Sequence, residues 1–294
     1  MLISTPRSHA IVSPLQVGRF KIIKPLARAI HGHVFLCRDR STGKLLAMKK
    51  LHNSRFMAHN QEDPVADAGT SILLSQVSCD SLLKTLGVFQ DETYTYLISE
   101  YGYGIELWDA AYQRHIVPAP QARSVIGSVL RAISCMHALG IAHRDVSLEN
   151  CLIYPDGRVK VIDFGQTVNM HDARGPLQYM GLAGKPYYMA PEMYGRGLYH
   201  PGPADIFSVG VVLFIMLFGS PPWESAQLSD ERFEIFAKGS MHAFTIELVD
   251  EDIQDMDLIT FLDGLLSVKP GLRLSADEAL EHPWMKQVEA KWTF

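Results

Sequence analysis

Near residue 104 the apolar positions of this chain change period, and that change limits the fold more than any single motif does. Before it they come in short runs, FKIIKPLA, HVFLCRD, KLLAMKKL, LLKTLGVF and TYTYLISEY, divided by turn residues such as Ser41-Thr42-Gly43. That is strand texture. One helical stretch, residues 67–77, interrupts it. After YGYG (residues 101–104) the period becomes helical. Val125, Ile126, Val129, Leu130, Ile133 and Met136 follow the i, i+3, i+4, i+7 pattern and predict a helix over 120–139. Pro120 suits its first turn. Further helices are expected at 204–217 and 258–266, and Ser275 three residues before Glu278 predicts a capping box. The expected class is α+β: a small β-rich part, then a larger helical one, behind an aperiodic tail of residues 1–18.

Composition narrows the function classes. With 47% hydrophobic residues in 294, there is apolar material for a large core. A net charge of -5 gives no reason to expect nucleic acid or an anionic membrane as a partner. The longest apolar run, residues 209–219, is too short to span a bilayer and reads as a buried core helix. The N-terminus lacks an unbroken apolar core, and Leu2 stands where myristoylation needs glycine. Cys37, Cys79, Cys135 and Cys151 show no metal-ligand spacing, which suits reduced thiols and a cytoplasmic location, with the nucleus left open.

Two segments carry chemistry. VIDFG, residues 161–165, ends an apolar strand in Asp163, a hard oxygen donor suited to Mg²⁺. Asp145 lies 18 positions earlier, inside HRD, and Asn150 follows five after Asp145. These are the spacings of a phosphoryl-transfer signature. Farther along stand Ala190-Pro191-Glu192, ADIFSVGVVLF from Ala204, and PGLRLSADEALEHPWM.

Taken in order, these segments resemble a eukaryotic protein kinase of the Ser/Thr type over residues 20–284. LFGSPPW and LEHPWM are closest in texture to calcium/calmodulin-dependent kinases. The resemblance implies a bilobal fold, with an N-lobe at 19–100 and a C-lobe at 101–294. It implies ATP and Mg²⁺ as cofactors and a protein substrate, and leaves the oligomeric state open. Asp145 would orient the substrate hydroxyl, Asn150 and Asp163 would hold metal, and Lys49 would hold the phosphates. Asp205 would brace the catalytic loop, and Arg273 would pair with Glu192. Around the nucleotide it implies Leu26, Gly32, Val34, Ala47 and Leu152, backbone groups of Glu100 and Gly102, and Ser99 as a small gatekeeper that leaves the adenine pocket open. Glu106 would serve the ribose or a basic substrate residue, a role Glu149 could share. The last residues leave no span for a calmodulin-binding helix, so calcium regulation is not expected.

The chain departs from the family pattern in four places. The glycine-rich loop reads ARAIHGHV, with Ala27 and Ala29 for the first two glycines and only Gly32 kept. Alanine avoids positive φ, so weaker nucleotide binding is expected. The partner of Lys49 falls on Thr70 by one count and on Asp67, one helical turn earlier, by another; Asp67 is favoured because it can pair. Ser147 stands where such kinases carry a lysine, and Lys185 where they carry a threonine in GTxxYMAPE, as though cation and hydroxyl had exchanged places. The segment 168–191 has no Ser or Thr, only Tyr179, Tyr187 and Tyr188, so either it is ordered without phosphate or Tyr179 is the switch, and a competent unphosphorylated state is expected. The leading expectation is an active protein kinase. The alternative is a pseudokinase scaffold, with a small-molecule kinase ranked last.

Overall fold

The strand texture before residue 104 folds into one antiparallel five-stranded sheet. The structure, a computed structural model, describes residues 18–29, 32–53, 64–114, 116–239, 241–245 and 255–288. The chain divides into two units, Met1–Gly104 with Asp163–Thr167, and Ile105–Ile162 with Val168–Phe294. Most of the tail expected at 1–18, and residues 30–31 of the loop at 27–34, lie outside the described residues.

In the first unit β1 (Phe20–Ala29), β2 (Gly32–Asp39), β3 (Leu45–His52), β4 (Thr85–Gln90) and β5 (Tyr94–Glu100) are ordered β1-β2-β3-β5-β4. Strand alternation decides what each face carries. Leu46 and Met48 of β3 join Phe20, Cys37, Phe89, Tyr96 and Ile98 in one apolar cluster. Leu51, on the opposite face, meets Leu97, Val88 and Ala68, the last from α1 (Pro64–Ser75), with Ile72 packed beside it. Ala47 and Lys49 share the face of Leu51, so Lys49 points to the side that α1 covers. That helix spans 64–75 where 67–77 was expected. Pro64 occupies its first turn, and the amides of Gln76 and Val77 bond back three residues to Leu73 and Leu74, ending the α-helical run. Pro25 falls at a register shift of the edge strand β1, where a missing N–H costs no ladder bond. Ala27 and Ala29 belong to β1, paired with Val34 and Gly32.

The second unit is built on three helices expected from sequence: α3 (Ala119–Ala138), α4 (Pro201–Phe218) and α7 (Met256–Leu266). All six apolar positions named for α3 are buried. α4 is apolar on every side, the mark of a central core helix. By length and composition it could cross a membrane, but 83% of it is buried inside this unit. A Cβ at Gly210 would stand 2.7 Å from Leu266 Cγ, so glycine there lets α4 and α7 approach closely. The capping box forms: Ser275 Oγ accepts from Glu278 N at 3.2 Å, and Glu278 accepts from Ser275 N at 2.8 Å. It opens α8 (Ala276–Glu281). Arg273 and Glu192 pair through two bonds of 2.6 and 2.7 Å. Among the described residues three helices went unread: α2 (Leu107–Arg114), α5 (Glu231–Lys238) and α6 (Met241–Phe244). None exceeds eight residues, too short for a period to show. Their packing supplies what periodicity does not, as Phe233 and Phe236 of α5 and Phe244 of α6 close around Trp223.

Candidate active site

In the first unit the chemistry gathers at Lys49. Its Nζ lies 2.9 Å from Asp67 Oδ2 and 2.7 Å from Asp163 Oδ1. Asp67, 2% exposed, is fixed by its own helix, because Ser71 one turn later donates to its other oxygen at 3.2 Å. Burial pushes the Asp67 carboxyl above its ordinary value; the Lys49 charge opposes that shift and the Asp163 charge adds to it. Of the two partners left open by sequence, the structure takes Asp67. Thr70 Oγ1 instead lies 3.1 Å from Thr167 Oγ1. Asp163 holds a left-handed φ of 63°, costly for a non-glycine residue and typical of functional positions.

The remaining candidates of this unit lie on the sheet. Val34 pairs with Lys49 across β2 and β3, Ala47 with Ser99 and Leu46 with Glu100 across β3 and β5. Leu26 lies exposed on β1, and Gly102 follows β5. Ser99 is buried with its Oγ 3.3 Å from Thr85 Oγ1. Gly32 has a structural reason to be glycine, since a Cβ there would run into the backbone carbonyl oxygen of Lys50.

In the second unit residues 143–150 run between β7 (Ile141–Ala142) and β8 (Cys151–Ile153). Val146 and Leu148 are buried and anchor this loop. Asp205 of α4, also buried, accepts from the amides of His143 and Arg144 at 2.8 and 2.7 Å. His137 Nε2 lies 2.8 Å from the same carboxylate, a partner that sequence reading missed. The bracing holds Arg144 at φ 66° and sets Asp145 beyond it. Asn150 Nδ2 donates to both the backbone oxygen and Oδ2 of Asp145, at 2.8 and 2.7 Å. Lys185 Nζ donates to Ser147 Oγ at 2.8 Å and lies 3.5 Å from Asp145 Oδ1 and 3.9 Å from Glu149 Oε2. Asp145, Ser147, Glu149, Asn150 and Lys185 therefore form one cluster. Glu106, in β6 (Ile105–Glu106), faces Leu152 of β8. Burial raises its carboxyl, Asp109 and Glu149 add to the shift, and Lys185 opposes it.

Gly184 was not read from the sequence. It has φ 82°, and a Cβ there would stand 2.8 Å from Arg144 O and 3.1 Å from Asp145 Oδ1. Only glycine lets the segment carrying Lys185 come this close to the loop. Earlier in that segment Tyr179 donates from Oη to Asn169 O at 2.6 Å and exchanges backbone bonds with Tyr199. The Arg144 guanidinium lies 5.4 Å from the centre of the Tyr179 ring. The groups present fit phosphoryl transfer: hard oxygen donors suited to Mg²⁺, a lysine held by carboxylates, and a carboxylate placed by a braced loop.

Residues 20–285 match the family model described as protein kinase domain. Among curated proteins, an Aurora kinase of Schizosaccharomyces pombe is 29% identical over 94% of this chain and 74% of its own length. Serine/threonine-protein kinase Aurora-2 of Arabidopsis thaliana is 28% identical over 91% of this chain and 90% of its own. Calcium-dependent protein kinase 4 of Plasmodium falciparum is 30% identical over 93% of this chain, which spans 50% of that relative.

Proposed function

The chain belongs to the protein kinase family, and from that premise we propose that it transfers the γ-phosphate of ATP to Ser or Thr hydroxyls of protein substrates, with Mg²⁺. The observation that carries this reading is the ion pair of Lys49 with Asp67 at 2.9 Å. A scaffold without catalysis was the alternative because the glycine loop is depleted and the partner of Lys49 was uncertain; the pair with Asp67 speaks against the second ground. Lys49 would bind phosphate oxygens, and Asp145 would accept the hydroxyl proton. Asp163, its side chain 28% exposed, would offer an oxygen to Mg²⁺, and Asn150 would both place Asp145 and offer its amide oxygen. Bound Mg²⁺ supplies charge neutralisation on the phosphates. Ser/Thr specificity rests on the named activities of the Aurora-type relatives. A cytoplasmic location is part of the proposal, supported by the four cysteines, all of them free thiols.

The test is transfer of radiolabelled γ-phosphate to a basic protein substrate with Mg²⁺. Wild type should label it, and Asp145→Asn should lose roughly 10²- to 10⁴-fold, the range for a positioned proton acceptor. ATP binding without transfer by wild type would overturn the enzyme reading in favour of the scaffold.

A further inference from the structure

We propose that Lys185 is a catalytic residue: its ammonium supplies, from the segment after Gly184, the cation that the loop 143–150 lacks. This rests on the kinase reading above. In the step concerned, the substrate hydroxyl oxygen forms a bond to the γ-phosphorus of ATP as the bond from that phosphorus to the β–γ bridging oxygen breaks. The electron pair leaves on ADP, and the hydroxyl proton passes to Asp145. Negative charge spreads over the phosphoryl oxygens as this happens, and a fixed cation at that point lowers the barrier.

The only cationic side chain in the sequence of loop 143–150, apart from histidine, is Arg144, and its guanidinium is committed to the Tyr179 ring. The carboxylates of Asp145 and Glu149 without a counter-cation would repel a triphosphate. Lys185 answers that charge, 3.5 and 3.9 Å from the two carboxylates. A hydroxyl bonded to Asp145 places its phosphorus partner only a few ångströms farther on, within reach of the same ammonium. Two features mark the position as built. Gly184 provides the close approach that no other residue permits. Ser147, fully buried, gives the ammonium a hydroxyl acceptor at 2.8 Å that fixes its direction. A lysine at 147 would occupy the space Lys185 now fills, so the cation can come from either position but not from both.

The experiment compares wild type, Lys185→Met, which keeps the stem and removes the charge, and Lys185→Ala with Ser147→Lys. Steady-state kcat and KM for ATP are measured with melting temperature. Lys185→Met should lower kcat by roughly 10²- to 10³-fold with KM for ATP within about threefold of wild type. Returning the cation through Ser147→Lys should recover at least about tenfold of that loss. A Lys185→Met enzyme within about threefold of wild type in kcat overturns the assignment and leaves the kinase reading standing. So does a loss that Ser147→Lys fails to repair while the melting temperature falls, since Lys185 would then serve the fold alone. A wild type that transfers no phosphate overturns both.

Discussion

Replacing Asp67 by alanine separates the pairing of Lys49 from the rest of the site. Removing one member of a buried ion pair typically costs about 3–5 kcal/mol. Two features reduce that here. Lys49 keeps Asp163 at 2.7 Å and its side chain is 15% exposed, so water reaches the ammonium. Burial also opposes the Asp67 charge in the folded protein. The net cost should be about 1–2 kcal/mol, a melting temperature lower by roughly 2–8 °C in a chain of this size. The effect on transfer should be larger than the effect on stability. Without Asp67, Lys49 loses the contact that α1 supplies, and a displacement near 1 Å of a positioning group can cost about 10²-fold in rate. The assay is γ-phosphate transfer and ATP affinity beside a thermal melt. Transfer within about threefold of wild type would refute Asp67 as the functional partner of Lys49, whatever the melt shows.

Three further outcomes follow from the same geometry. The Asp67 carboxyl is raised above its unfolded value near ~3.9, so its contribution to stability is full below that pH and is lost as pH rises through the folded value. Asp67→Asn lacks this loss. Its melting temperature relative to wild type should therefore climb as pH rises above about 4, and a flat or falling difference would contradict the direction of the shift. Ser99→Met fills a buried position and breaks the contact with Thr85, so ATP-site ligands with bulky back groups should bind wild type and lose at least about tenfold in the variant by calorimetry; equal binding would reject the gatekeeper role. Tyr179→Phe removes one hydrogen bond and keeps the ring under Arg144, so transfer by unphosphorylated protein should stay within about threefold. A marked rise in activity on phosphorylating Tyr179 would show instead that this tyrosine is a switch.

Periodicity carried most of the architecture because burial on one face leaves a repeating mark. The five strands of the first sheet, α1 and α3 were legible for that reason; α4 showed instead as a continuous apolar run, and the Ser275 capping box by a purely local signal. Residue spacing carried the Asp145, Asn150 and Asp163 candidates. What sequence could not display was contact between distant segments. His137 reaches Asp205 across 68 positions, with nothing local to mark it. Gly184 is one glycine among 22, and only its φ and its distance to Arg144 show why it is needed. Gly32, read as a phosphate-loop glycine, has a second reason in the Lys50 carbonyl, visible only once β2 and β3 are paired.

Two of the four departures from the family pattern share one physical explanation. Electrostatics depends on where a charge stands, not on which chain position delivers it. On α1 the carboxylate moves three residues toward the N-terminus, from 70 to 67. Three residues are about 4.5 Å along a helix and most of a turn, so position 67 still faces β3. The Ser71 hydroxyl, four residues after Asp67, then aims the shorter side chain at Lys49, while Thr70 takes a separate contact with Thr167. At the loop 143–150 the cation proposed above comes from position 185 in place of 147, 38 positions away, and the approach is made possible by a glycine at positive φ rather than by helical repeat. In each case the vacated position carries a hydroxyl, small and able to bond without charge. Decay of an unused site gives no reason for a displaced charge to reappear within 4 Å of its old partner, let alone twice. A site in use does give such a reason, because bound phosphate calls for a fixed lysine and for a cation near the reacting oxygens.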